Sequence, residues 1–206
     1  ISIIAGKESY FYNGDGKPAN ETASIRSPKL GAYDWVRSRY YFYSHYTIRY
    51  IKDGILYTLA GYSVKGYEGD DGYAANAKIG ECGFLIIDSE CRYLYMSDVT
   101  FNVIRRIDLN TNIIELYAGI PSEEKAPCDA TIDALDYPNG MVIYNDTLYF
   151  TESGRHIASA IHMPSLDKTR IAGIPCNSGN SIGNNSLDTL LNNPIGLEID
   201  EKTGLL

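Results

Sequence analysis

The sequence predicts an all-β chain, and three observations carry that expectation. Tyrosine is the compositional outlier, with 18 residues against 5 Phe and 1 Trp. It suits strands, because its ring packs on a pleated face while its hydroxyl reaches water or a partner. Apolar runs such as Phe84-Leu85-Ile86-Ile87 and Leu56-Tyr57-Thr58-Leu59 are short and bounded by polar or glycine-containing turns, the pattern of strands rather than of helices. Finally, an Ala-Gly pair behind a short apolar run recurs at Ala5-Gly6, Ala60-Gly61, Ala118-Gly119 and Ala172-Gly173, at intervals of 55, 58 and 54 residues. A period of this size marks a repeated supersecondary unit.

Between the anchors each unit reads in one order. A polar loop follows Ala-Gly, and the first two loops carry Gly14-Asp15-Gly16-Lys17-Pro18-Ala19 and Gly69-Asp70-Asp71-Gly72-Tyr73-Ala74. The third and fourth lose that motif and keep small or polar stretches, at residues 129–135 and 185–191. A Pro-x-Gly turn comes next, at Pro138-Asn139-Gly140 and Pro194-Ile195-Gly196. The first strand is expected at residues 85–88, 141–144 and 197–200. An aromatic second strand is expected at 40–43, 93–96 and 147–150, and a third at 47–51, 103–107 and 157–161. A fourth strand ends in the next Ala-Gly. Turn residues such as Asp53-Gly54 and Asn145-Asp146 stand where hairpins need left-handed backbone. Four short strands per repeat is the pattern of a β-propeller blade, whose sheet must bury its faces on its neighbours.

The ordered motifs resemble NHL-repeat β-propellers. Residues 61–119 carry the likeness best, through Gly69-Asp70-Asp71-Gly72, Ile87-Asp88, Tyr95-Met96-Ser97-Asp98 and Asn102-Val103-Ile104-Arg105-Arg106-Ile107-Asp108. The resemblance implies blades near residues 25–60, 82–118 and 138–172, an incomplete one at 194–206, and the outer strand of a preceding blade at 1–5. Such propellers commonly close with six blades, so the resemblance implies about three and a half blades of a larger ring. There are departures: Cys82 and Phe84 stand where the turn proline and glycine are expected, and Ser27-Pro28-Lys29-Leu30-Gly31 is displaced.

Charge and motif content narrow the function. The net charge is −8, which disfavours nucleic acid, since phosphate binding needs clustered Lys and Arg. Arg37, Arg39, Arg49, Arg105 and Arg106 lie among tyrosines, yet in strands ion pairing is their expected fate. The sequence has no Gly-x-Ser-x-Gly elbow, phosphate loop or dinucleotide fingerprint. Nor does it contain a run of apolar residues long enough to span a membrane. The glycine-flanked Asp15, Asp70 and Asp71 invite a Ca²⁺ reading, but the spacing of a twelve-residue Ca²⁺ loop is absent. In the resembling family the glycines shape the loop and the Asp caps the short turn or helix behind it. No cofactor is therefore expected.

Four cysteines, separated by 8, 36 and 47 residues, are too dispersed for a zinc site and allow three disulfide pairings. Cys82 and Cys91 flank one strand, Cys128 and Cys176 lie in loops at related places, and buried thiols are the favoured expectation. Asn20, Asn145 and Asn184 head Asn-x-Ser/Thr triplets that permit N-glycosylation, which with paired cysteines would fit an extracellular or luminal protein.

The favoured function is a non-catalytic platform for a protein or another ligand, such as a glycan, within a larger protein. Its surface is expected in the loops at 62–80, 121–136 and 174–192 and around Asp15, Tyr43, His45, Asp70, Asp71, Asp98, Glu152 and His156. Its partners would be a protein or the remaining blades of the ring. The competing reading is a propeller hydrolase or lyase with a metal in its channel, and it requires His45, Asp98, Glu152 and His156 to converge on one point.

Overall fold

A computed structural model describes residues 15–20, 25–128, 133–200 and 202–204; the strand expected at residues 1–5 lies outside them. The described strands form three antiparallel sheets. The first contains β1 (Lys17–Pro18), β2 (Pro28–Asp34), β3 (Arg39–Ser44), β4 (Ile48–Lys52) and β5 (Ile55–Ala60), in the order β1-β5-β4-β3-β2. The second contains β6 (Gly72–Tyr73), β7 (Cys82–Ile87), β8 (Tyr93–Asp98), β9 (Val103–Asp108) and β10 (Ile113–Gly119), in the order β6-β10-β9-β8-β7. The third contains β11 (Pro138–Tyr144), β12 (Thr147–Glu152), β13 (Ile157–His162) and β14 (Asp167–Ala172), in sequence order. Contacts divide the chain into two compact units, Ile1–Tyr95 with Arg106–Leu116, and Met96–Arg105 with Tyr117–Leu206.

The Ala-Gly repeat has a steric cause. Gly61, Gly119 and Gly173 adopt φ of +76°, +101° and +86°, where a Cβ is strained. A side chain there would also strike the carbonyl oxygens of Tyr46, Asn102 and His156, at 2.2, 2.6 and 2.3 Å. Those three residues are themselves left-handed, with φ of 58°, 57° and 58°, and each leads into the third strand of its unit. The repeat therefore records a backbone crossing that recurs at the three described Ala-Gly pairs.

The glycine-rich motifs do more than form loops. Lys17 and Pro18 pair with Leu56 and Ile55, and Gly72 and Tyr73 pair with Ile114 and Ile113, adding a fifth strand to the first two sheets. In the first sheet this lays the buried Ala19 against Phe42 and Leu56, with Ile25 and Ile51 around them. The expected aspartate cap is corrected: the 3-10 turn Ala74–Asn76 is preceded by Tyr73 and has no side-chain cap. Asp15 reaches back to Arg49, 2.8 Å away, and Asp70 accepts from the Tyr67 hydroxyl. A true side-chain cap occurs at the later 3-10 turn Ser186–Asp188, where Asn185 accepts from the backbone N–H of Leu187 and Asp188.

Two expectations of architecture are overturned. Pro28–Asp34 forms a full first strand in the first sheet, whereas 197–200 forms none, so the incomplete unit at 194–206 has no strand among its described residues. The radially closed propeller is also corrected. Among the described residues the strands form three open sheets of five, five and four strands, not blades closed into a ring. Within the first unit, open sheets stack laterally: β2 runs beside β7, and the Tyr43 hydroxyl donates to the Gly80 carbonyl at 3.3 Å. Within that unit the contacts support one open sheet packed beside the next.

The cysteines divide between the two expectations. Cys128 and Cys176 are disulfide-bonded within the second unit, while Cys82 and Cys91 are buried thiols.

Candidate functional site

The residues expected to be reactive are held by local partners. Tyr43 is buried; its hydroxyl accepts from the Tyr46 N–H at 2.9 Å, and burial pushes its pKa far up. His45 faces the Arg26 guanidinium at 3.2 Å and lies beside the Tyr46 ring at a tilt of 47°, and burial followed by Arg26 pushes its pKa down. Asp98 is buried and accepts from the N–H groups of Thr100 and Phe101, closing its own turn. Asp71 is exposed at φ +63°, and its N–H donates to the Ile114 carbonyl.

Glu152 is the centre of a buried charged cluster in the second unit. Its Oε1 accepts from Ser159 Oγ at 2.7 Å and lies 2.7 Å from Lys168 Nζ. Its Oε2 accepts from the Asp136 N–H at 3.3 Å, and Arg155 stands 3.8 Å away. The Lys168 ammonium also lies over the Phe150 ring. Burial pushes the Lys168 pKa down, against the pull of Glu152, while burial pushes the Asp136 carboxyl up. These charges neutralise one another in a buried setting, an arrangement that holds structure rather than one that exposes a reactive atom.

His156 is half-buried, and its Nδ1 accepts from the Asn193 N–H at 3.0 Å. Asn102, at the corresponding turn of the preceding repeat, accepts the Tyr137 N–H in the same way. Tyr137 and Asn193 each precede the proline of a Pro-x-Gly turn. The imidazole is thus a joint between repeats. Among the described residues, no group of three or more His, Cys, Asp and Glu is placed to hold a metal. The arginines are likewise engaged: Arg49 pairs with Asp15, Arg106 with Glu115, and Arg39 lies over Tyr50.

The most solvent-directed aromatic group lies on the β2–β3 hairpin. Tyr33, Trp35, Val36 and Tyr40 are 57%, 64%, 56% and 48% exposed. Tyr33 and Tyr40 are register partners and share one face, and Trp35 and Val36 lie in the connecting turn, residues 35–38. That turn is firmly held. Asp34 accepts from both the N–H and the guanidinium of Arg37, and the same guanidinium donates to the Cys91 carbonyl at 2.6 Å and to the Asn110 side chain. Tyr40 lies over Gly31, where a Cβ would meet its hydroxyl. Sequence reasoning passed over this corner. Its signal was the Trp-Val pair inside a turn, where no core contact calls for apolar side chains.

Neither a protein-family model nor a curated protein sequence matches the chain. Solved structures do match its fold. An auxiliary nutrient binding protein from Bacteroides ovatus superposes with a TM-score of 0.68 at 17% identity, over 88% of this chain and 45% of that one. A structural genomics protein of unknown function from Bacteroides thetaiotaomicron gives 0.63 at 17% identity, over 82% and 41%. The nidogen/laminin complex gives 0.58 at 16%, over 88% and 56%. The chain thus spans about half or less of the length of these proteins, and what it shares with them is an all-β fold of antiparallel sheets. None of the three is described as an NHL-repeat propeller. Together with the missing family match and the open sheets, this overturns the expected NHL membership and, with it, the remaining propeller blades as partners. No helix among the described residues is long and apolar enough to cross a membrane.

Proposed function

We propose that the chain is a non-catalytic binding domain that presents the Tyr33–Trp35–Val36–Tyr40 corner to a glycan or peptide ligand. The carrying observation is a contrast in exposure. Carboxylates and imidazoles suited to chemistry are held in local hydrogen bonds, while flat aromatic side chains stand in solvent on an anchored hairpin. Aromatic rings on a rigid support suit recognition, because they contribute area without much ordering cost. The description of two similar folds as auxiliary nutrient binding proteins agrees with this reading. Asp71 belongs with the accessible positions. Asn20, Asn145 and Asn184 are exposed as well and serve as glycan acceptors if the protein passes through a secretory route. The Cys128–Cys176 disulfide favours an extracytoplasmic or luminal location.

The test uses the chain's single tryptophan as its own reporter. Titration with panels of oligosaccharides and peptides should give a saturable change in Trp35 emission with at least one class. Tyr33→Ala with Tyr40→Ala should weaken that binding at least tenfold. Binding detected by calorimetry with Trp35 emission unmoved would place the site elsewhere.

A further inference from the structure

We propose that Gly31 sets the ligand class of the β2–β3 corner, by letting the Tyr40 ring lie flat as a platform for the pyranose rings of a neutral oligosaccharide. The inference rests on the binding reading above and narrows it. The third sheet shows what the matching positions hold when they are buried. There Met141 pairs with Phe150 and Ile143 with Leu148, and Met141 and Leu148 are buried. In the first sheet Gly31 pairs with Phe42 and Tyr33 with Tyr40, and a register shift precedes Gly31 as one precedes Met141. Tyr40 and Leu148 each stand opposite an isoleucine of the next strand, Ile51 and Ile161. The aliphatic set Met141, Ile143 and Leu148 is thus replaced by Gly31, Tyr33 and Tyr40.

The exchange has a geometric consequence. A Cβ at Gly31 would run into the Tyr40 hydroxyl and Cζ and come within 3.0 Å of Cε2. An aromatic ring laid over a strand glycine fills the space that the missing side chain leaves. Tyr40 also stacks on Phe42, with centroids 6.3 Å apart and planes inclined by 24°. Its 48% exposure corresponds to one ring face against the sheet and the other in water. That outward face is the negative side of the aromatic quadrupole, and it attracts the weakly positive C–H groups gathered on one side of a pyranose. Charge agrees with a neutral ligand. On β2, β3 and their turn, Lys29 pairs with Glu81, Asp34 with Arg37, and Arg39 lies over Tyr50. A charged peptide finds no spare counter-charge there. Since β3 is paired on both sides, the Tyr40 platform offers no strand edge to a peptide backbone either.

Trp35 emission of the whole chain tests it, with cellohexaose and maltohexaose as neutral probes beside acidic, basic and uncharged decapeptides. At least one hexasaccharide should give a saturable change. Gly31 lies outside the left-handed region, so Gly31→Ala displaces the Tyr40 ring without straining the backbone, and it should weaken that binding about tenfold. Amide exchange in β3 and β4 should hold in this variant. Tyr40→Leu, which installs the residue of the third sheet, should lose binding equally and guards against a poorly folded Gly31 variant. Saccharide binding that survives both substitutions overturns the proposal and leaves the binding reading standing, and so does a response to peptides alone. Self-association that Tyr40→Leu abolishes would give the face to a second copy of the chain and overturn the proposal. A corner that answers to neither class of probe overturns both readings.

Discussion

The first and third sheets are built on one register and filled with opposite chemistry. Phe42 pairs with Arg49 as Phe150 pairs with Ser159, and both second and third strands are followed by the same irregularity opposite the fourth, at Ile48/Arg49 and at Ala158/Ser159. Leu56 and Lys168 then occupy equivalent positions, opposite Ile51 and Ile161. In the first sheet Leu56 meets Phe42 and Ala19 in an apolar cluster. In the third, Lys168 covers Phe150 and pairs with Glu152, where the first sheet has Ser44. The covering strand explains the exchange. β1 shields β5, whereas β14 is an edge among the described strands, and its Asp167-Lys168-Thr169-Arg170 run is the charged kind of sequence that discourages pairing with another chain. Lys168 runs its stem along apolar surface and meets its counter-charge within the sheet.

The largest effect expected from this contrast is at Glu152. Glu152→Ala removes one member of a buried ion pair and should cost about 3–5 kcal/mol. Ser44→Ala, at the matching position, removes a hydroxyl that accepts from Arg26 N–H and donates to its carbonyl, and should cost about 1 kcal/mol. Urea unfolding of the two variants decides it, and equal losses would mean that the third sheet does not rely on its ion pair.

Next comes the disulfide, which spans a sequence separation of 48 within the second unit. Replacing Cys128 and Cys176 by Ser should cost about 2–4 kcal/mol. Exchange protection should fall in β11–β14 and hold in β2–β5. Uniform loss across both sheets would show that the two regions unfold together.

The smallest effect is a pH dependence at Asp136, on the segment leading into the third sheet. Burial raises the Asp136 carboxyl above its ordinary value of 3.8, so the folded chain binds that proton more tightly than the unfolded one. Its contribution to stability falls as pH rises from 3.8 through the raised value, and is level beyond. Asp136→Asn should therefore gain on the wild type between pH 4 and pH 7. Denaturation at the two pH values measures it, and a constant difference would remove Asp136 as the cause. Arg26 stands at the matching place in the first sheet, so no carboxyl occupies that position there.

Much of the local structure was legible in the sequence, since each feature has a cause within a few residues. Gly61, Gly119 and Gly173 repeat because a backbone carbonyl lies where a Cβ would be. Aromatic runs become strands, and Asn or Asp-Gly pairs become hairpin turns. The site was less legible. His45 and His156 look alike in sequence as residues after an aromatic strand, yet His156 matches Tyr46 in backbone conformation and Asn102 in hydrogen bonding. Trp35 gave little sign of its exposure, because burial depends on what lies opposite.

The sequence by itself determined an all-β chain with a period near 55 residues and the positions of its backbone crossings, because propensity, turn chemistry and steric exclusion act over short range. Only the tertiary structure decided that the described sheets stay open, that Cys128 rather than Cys82 finds Cys176, and that Glu152 meets Lys168. Those outcomes depend on which distant segments come within contact distance, and a repeat of similar segments leaves several pairings open until the chain has packed.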